Sequence, residues 1–162
     1  MAKLFVANTS NVKEMKNGRP MNVEITKEQV TAAGVDGLAN CTIVTLGATG
    51  EGENDHVYAT TVLEASAVKA AVAKGEAYVI VAPEIMVEEA RRTDGHIGKF
   101  RFKEGAVQTA YQLSVHDRLE LSSDHPFVAA GTEIGEHKMA EAMYLLAEGD
   151  KAAAIVMKKI EF

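Results

Sequence analysis

The sequence predicts an α+β domain, mainly β, built as a small antiparallel barrel or sandwich with one or two short helices. Short β-branched runs recur along it, several strands follow Gly-acid or acid-Gly turns at Gly75-Glu76, Glu104-Gly105 and Glu148-Gly149-Asp150, and turn signals recur at roughly ten-residue spacing. Helical spacing of apolar residues is confined to brief stretches. The length of 162 residues fits one domain spanning 1-162.

Lys3-Leu4-Phe5-Val6-Ala7 reads as a short strand, and a polar arm follows over about 8-20. Met21-Asn22-Val23-Glu24-Ile25 alternates apolar and polar residues, the period of a half-buried strand. Thr26 to Ala33 is predicted as a short helix that Thr26 caps and Gly34 ends. Two β-branched strands are expected at Cys41–Leu46 and Val57–Leu63. Gly47 to His56 between them reads as a long, mobile hairpin loop.

The strongest helix signal is Glu64 to Lys74, where Ala65, Val68 and Val72 recur at helical spacing and Lys74-Gly75 makes a stop. Ala77 to Ala82 is a near-continuous apolar strand ended by Pro83, and Glu84 to Arg92 fits either a helix or irregular chain. Further strands are expected at Ile97–Lys103, Val107–Val115, Arg118–Leu121, His137–Leu146 and Ala152–Phe162. The last of these stays strand-like throughout, which predicts an end pinned in a sheet.

The net charge of −6 argues against bulk attraction to nucleic acid or anionic membranes. The charge is uneven: residues 31–90 carry −7, 91–104 carry +3 and 105–137 carry −4. Cys41, the single cysteine, excludes an intrachain disulfide and reads as a small buried apolar residue. No run approaches a membrane span, and Met1 to Asn8 turns polar too soon for a signal peptide, so a reducing cytosol is expected.

No chemical constellation stands out above a structural explanation. Gly47-x-x-Gly50-x-Gly52 follows a strand as a phosphate cradle does, but Glu51, Glu53 and Asp55 would repel an anion and no cation accompanies them. His56, His96, His116, His125 and His137 include no pair at ligand spacing, and Gly135 spoils a helix through Glu133 and His137. Ser123-Asp124-His125 are adjacent, so their side chains splay apart and cannot form a relay. No cofactor, metal or catalytic set is therefore expected. The alternative enzyme reading assembles His116, Asp117, Asp124 and His125 across strands.

Arg91 to Lys103 is the informative stretch. As a strand it places Lys99, Arg101 and Lys103 on one face and Phe100 and Phe102 on the other. Stacking on RNA needs aromatics beside the cations, so alternation disfavours nucleic acid as the ligand of residues 91-103. A basic face able to dock on an acidic protein remains. With Asn11, Lys13 and Lys16 of the arm, Lys99, Arg101 and Lys103 are the candidate partner-binding residues.

Four stretches carry a resemblance to a known class. They are Tyr78-Val79-Ile80-Val81-Ala82-Pro83-Glu84; Ile97-Gly98-Lys99-Phe100 with Gly105 and Ala110-Tyr111-Gln112-Leu113; His116-Asp117-Arg118-Leu119-Glu120-Leu121-Ser122; and Met157-Lys158-Lys159-Ile160-Glu161. Their order resembles the small structural proteins of tailed bacteriophages, in particular capsid decoration proteins, over about half the chain. The resemblance implies a non-enzymatic virion protein, assembled in the host cytoplasm, that binds the major capsid protein or another virion protein and can form homo-oligomers. It carries over no functional residues, because such proteins act through surfaces.

Overall fold

Alternation in the first well-marked strand sends Val23 and Ile25 to complete burial while Asn22 and Glu24 stay exposed. The computed structural model, which describes residues 18–33, 37–82, 101–122, 125, 136–138, 142–145, 152–155 and 157–162, is mainly β. The strands β1 (Pro20–Glu24), β2 (Thr42–Thr49), β3 (Val57–Val62), β4 (Tyr78–Ile80) and β5 (Val107–Gln112) close into a barrel in the order β1-β3-β2-β4-β5. Closure comes from β1 pairing antiparallel with β5, Pro20 opposite Tyr111 through Glu24 opposite Val107. One ladder departs from the antiparallel pattern: β1 runs parallel to β3, with Asn22 opposite Val57. The β2–β3 hairpin lays its second strand, not its first, beside β1.

Two hydrophobic cores lie on opposite faces of the barrel wall. Val23, Val44, Ile80 and Ala110, with half-buried Tyr58, bring all five strands to the inner core, and Ile25, Leu38 and Phe102 add to it. The outer core joins Ile43, Val79 and Leu113 to a helix and to a strand of a second sheet. Sequence neighbours Ile43 and Val44, and again Val79 and Ile80, divide between the two cores. Both faces of β2 and β4 are thus covered, which is why these strands read as continuous apolar runs.

The short helix α1 (Lys27–Ala33) follows β1 directly. Thr26 Oγ1 accepts the Gln29 N–H at 3.3 Å, and Gln29 Oε1 accepts the Thr26 N–H at 3.0 Å, a reciprocal capping box. Gln29 also reaches the barrel, since its Nε2 donates to the Thr60 carbonyl at 2.8 Å and to Thr60 Oγ1 at 2.6 Å. Residue 34, expected to end this helix, lies outside the described residues.

The second helix begins more tightly than expected. Ala65–Ala67 form a 3₁₀ turn, and α2 (Val68–Lys74) continues it, because Glu64 supplies no side-chain cap to the first turn. Val68, Ala71 and Val72 are buried in the outer core, each valine contributing roughly 1.5–3 kcal/mol. Gly75, at φ 74°, ends the helix. Its N–H donates to Val72 O at 3.0 Å and the Glu76 N–H to Ala71 O at 2.9 Å, the paired bonds of a left-handed C-terminal stop.

The hairpin between β2 and β3 is shorter than the expected loop. β2 runs on to Thr49, with one extra residue accommodated between Leu46 and Thr49. Gly52–Asn54 then form a 3₁₀ turn, and the Gly50 N–H closes on Val57 O at 2.9 Å.

The second half adds β6 (Arg118–Ser122), β7 (Glu136–Lys138), β8 (Ala142–Leu145), β9 (Ala152–Ile155) and β10 (Met157–Glu161). They form a three-stranded sheet, β6-β10-β7, and a two-stranded one, β8-β9. The strands expected at 137–146 and 152–162 are each represented by two described strands, and residues 139–141, 146 and 156 of these stretches lie outside the described residues. Lys138 is opposite Lys158 in the first of these sheets and Ala142 opposite Ile155 in the second. β10 is the middle strand of its sheet, and the Phe162 N–H donates to Asp117 O at 2.9 Å.

Three expectations need separate placement. The strand at 3–7 lies outside the described residues. The arm ends earlier than 20, since Pro20 already belongs to β1 and Arg19 O accepts the Gln112 N–H at 3.0 Å. Of the expected strand Ile97–Lys103, residues 101–103 are described; they form a single bridge, Phe102 with Leu38, because the Lys103 carbonyl at once accepts the Ala106 N–H and turns the chain.

Candidate functional site

Residues 101–103, the described end of the basic segment, bridge to Leu38. Leu38 and Phe102 exchange two backbone hydrogen bonds, of 2.9 and 2.8 Å, and the Phe102 side chain, 2% exposed, enters the inner core. Lys103 is exposed and Arg101 is half-buried. Among these three residues the phenylalanine is the buried one. Gly37 permits the close crossing: at φ 139°, a Cβ there would stand 2.4 Å from Phe102 O and 2.6 Å from Arg101 Cβ. Lys99, Asn11, Lys13 and Lys16, the other candidate contact residues, lie outside the described residues.

Beside this segment is a buried polar corner. Asn40, 1% exposed, uses its side chain as a strand neighbour would: Nδ2 donates to Ala82 O at 2.8 Å and Oδ1 accepts the Ala82 N–H at 3.2 Å. Asn40 Oδ1 also accepts the Cys41 N–H at 3.0 Å, where Cys41 adopts a left-handed backbone at φ 59°. Thr42 Oγ1 donates to Ala39 O at 2.7 Å, completing the turn. Cys41 itself is buried in the outer core.

His125 enters the same corner from a distant part of the chain. It is 1% exposed, and its Nε2 lies 2.8 Å from the Asn40 carbonyl. A carbonyl only accepts, so Nε2 carries the hydrogen. Burial foremost lowers the pKa of His125 from 6.5 to about 4; the bond to Asn40 opposes the shift and the Arg101 charge adds to it. The ring is neutral at pH 7.

Of the residues of the alternative enzyme reading, three are described. His116 is exposed, at φ 75°, and its N–H donates to Phe162 O. Asp117 is buried and accepts the Ser114 N–H through Oδ2 at 2.8 Å, which fixes the turn before β6. His125 is held at the Asn40 corner, and Asp124 lies outside the described residues. Among the described residues, no three of His, Cys, Asp and Glu gather as metal ligands.

The glycine-rich hairpin offers the geometry of a turn rather than that of a phosphate cradle. Gly52–Asn54 is one 3₁₀ turn, and Glu51, Glu53 and Asp55 are all exposed. Asp55 faces exposed His56 at 3.4 Å, a surface contact of little energetic weight. No family model, curated protein or solved structure matches the chain.

Gln29 and Asn40, buried polar residues that bond to Thr60 and to Ala82, were not singled out from the sequence. The Thr26-x-x-Gln29 spacing is a local signal for the capping box. Asn40 has no such signal, since its partners Ala82 and His125 are remote in sequence.

Proposed function

We propose that the protein is a non-enzymatic structural component of a tailed-bacteriophage virion that binds the capsid exterior and reinforces it, as decoration proteins do. One observation carries the reading: the stretches with the phage resemblance that fall on described strands are neighbours in space. Tyr78, Val79 and Ile80 pair with Gln112, Tyr111 and Ala110 in the barrel, and Arg118–Ser122 and Met157–Glu161 pair in the second sheet. Val79, Leu113, Leu119 and Leu121 join these two pairs in one core.

In this reading the N-terminal arm and the basic segment supply the contacts. Lys103 and Arg101, with Lys99 and the arm residues Asn11, Lys13 and Lys16, meet an acidic surface of the major capsid protein or another virion protein. Each contact is small, and repetition over many capsid sites supplies the strength. Virion localisation and homo-oligomer formation belong to the same proposal.

Co-sedimentation of the purified protein with expanded capsids tests it. Binding at low and moderate salt is expected, and failure to co-sediment under both conditions removes the proposal. Lys103→Glu should weaken binding while leaving the fold intact. Unchanged affinity in that variant would remove this face from the account.

A further inference from the structure

The ladders that close the barrel differ in length. β1 and β3 share two registered pairs, Asn22 with Val57 and Val23 with Tyr58, whereas β1–β5 has five, β2–β3 four, and β2–β4 and β4–β5 three each. Backbone bonds carry the other four past their registered ends: Ile25 N–H to Ala106 O beside β5, Leu63 N–H to Ile43 O beside β2, Cys41 N–H to Ile80 O, and Leu113 N–H to Ala77 O. The β1–β3 ladder is also the parallel one, a pairing slightly weaker per residue.

Side chains continue this short ladder instead. Gln29 Oε1 accepts the Thr26 N–H just past β1 at 3.0 Å, and its Nε2 donates across the line to Thr60 O and Thr60 Oγ1 at 2.8 and 2.6 Å. Thr60 Oγ1 in turn donates to Glu24 O at 3.3 Å. Gln29 and Thr60 are both buried. We infer that α1 is a strap: Gln29 seals the barrel where β1 and β3 part, and the barrel opens along this line before any other.

Opening there breaks the shortest ladder. The side-chain bonds that extend the ladder pass through one amide and one hydroxyl, so they are lost together. β1 and α1 stay with β5, and β3 stays with β2. The edge of β3 is thereby uncovered without global unfolding, as in the sub-global openings that native proteins undergo.

Alternation decides which amides report on the line. Since the Ile25 N–H bonds beside β5, the Val23 N–H faces β5 as well, and the Glu24 N–H between them faces β3. Since the Leu63 N–H bonds beside β2, the Thr61 N–H faces β2 and the Tyr58 N–H faces β1.

Amide hydrogen exchange on the whole protein, in water and in low urea, tests the strap. Glu24 and Tyr58 should show opening constants about tenfold or more above those of Val23 and Thr61, with a shallower dependence on urea because less surface is exposed. Gln29→Ala should raise the constants of Glu24 and Tyr58 by about 30-fold, the loss of two ordinary hydrogen bonds to Thr60. Equal constants within the two pairs, Glu24 with Val23 and Tyr58 with Thr61, would overturn the opening line. Unchanged exchange of Glu24 and Tyr58 in Gln29→Ala would overturn the role of Gln29.

Discussion

Replacing Gln29 by Ala should destabilise the protein by about 3 kcal/mol, a figure assembled from three bonds. Gln29 Oε1 closes the capping box with Thr26, an arrangement whose loss costs about 1 kcal/mol. Its Nε2 makes two buried bonds to Thr60, at 2.8 and 2.6 Å, and each contributes about 1 kcal/mol net. With a urea slope of about 2 kcal/mol/M, the denaturation midpoint falls by about 1.5 M. Thr31→Ala is the control, since the Thr31 hydroxyl is exposed and bonds only within its own helix turn, to Lys27 O. It should move the midpoint by less than about 0.25 M. Gln29→Glu refines the argument. Its carboxylate still accepts the Thr26 N–H but has no donor for Thr60, so the introduced group is more easily protonated in the folded state than in the unfolded one. Its folded pKa is raised, and the penalty present at pH 7 should shrink as the pH falls through that value. A Gln29→Ala midpoint within about 0.25 M of wild type, or a Gln29→Glu protein as stable as wild type at pH 7, would refute the view that this residue fastens α1 to the barrel.

Gly37→Ala should cost more than about 2 kcal/mol, lowering the calorimetric midpoint by several degrees, because a Cβ would stand 2.4 Å from the Phe102 carbonyl. A midpoint equal to that of wild type would contradict the close crossing. Gly75→Ala should cost about 1 kcal/mol by forcing a side chain into the left-handed region at φ 74°, as measured by urea denaturation. Cys41, 2% exposed, should react with a thiol reagent only at the rate of unfolding, and a fast stoichiometric reaction in native buffer would show that the outer core is not closed over it.

Local signals made the helices and most strands readable. Thr26 and Gly75 mark helix ends through bonds made within four residues, and the alternation around Val23 declares a half-buried strand. The two-faced burial of Ile43 and Val44 was legible only as an apolar run, since periodicity does not say that a second layer covers the outer face. That β7 pairs with β10 in one sheet and β8 with β9 in another depends on pairing between distant residues, which no window on one strand contains. The candidate site divided along the same line. The separation of Lys103 from Phe102 follows from alternation, whereas the Asn40 corner exists only once residues 82 and 125 arrive beside it.

Barrel closure also sets an order of events during synthesis. β1 completes its pairing only when Pro20 meets Tyr111 and Glu24 meets Val107, roughly 90 residues later, a span that places these contacts among the slow, non-local ones. At about 5–20 residues per second, the ribosome leaves β1 without that partner for several seconds. During that interval its edge is open to wrong pairing, and Pro20, which has no N–H to donate, blunts the first position of the strand. Nascent chains that stop short of β5 retain two unpaired edges, on β1 and β4, and are the species from which aggregation would start.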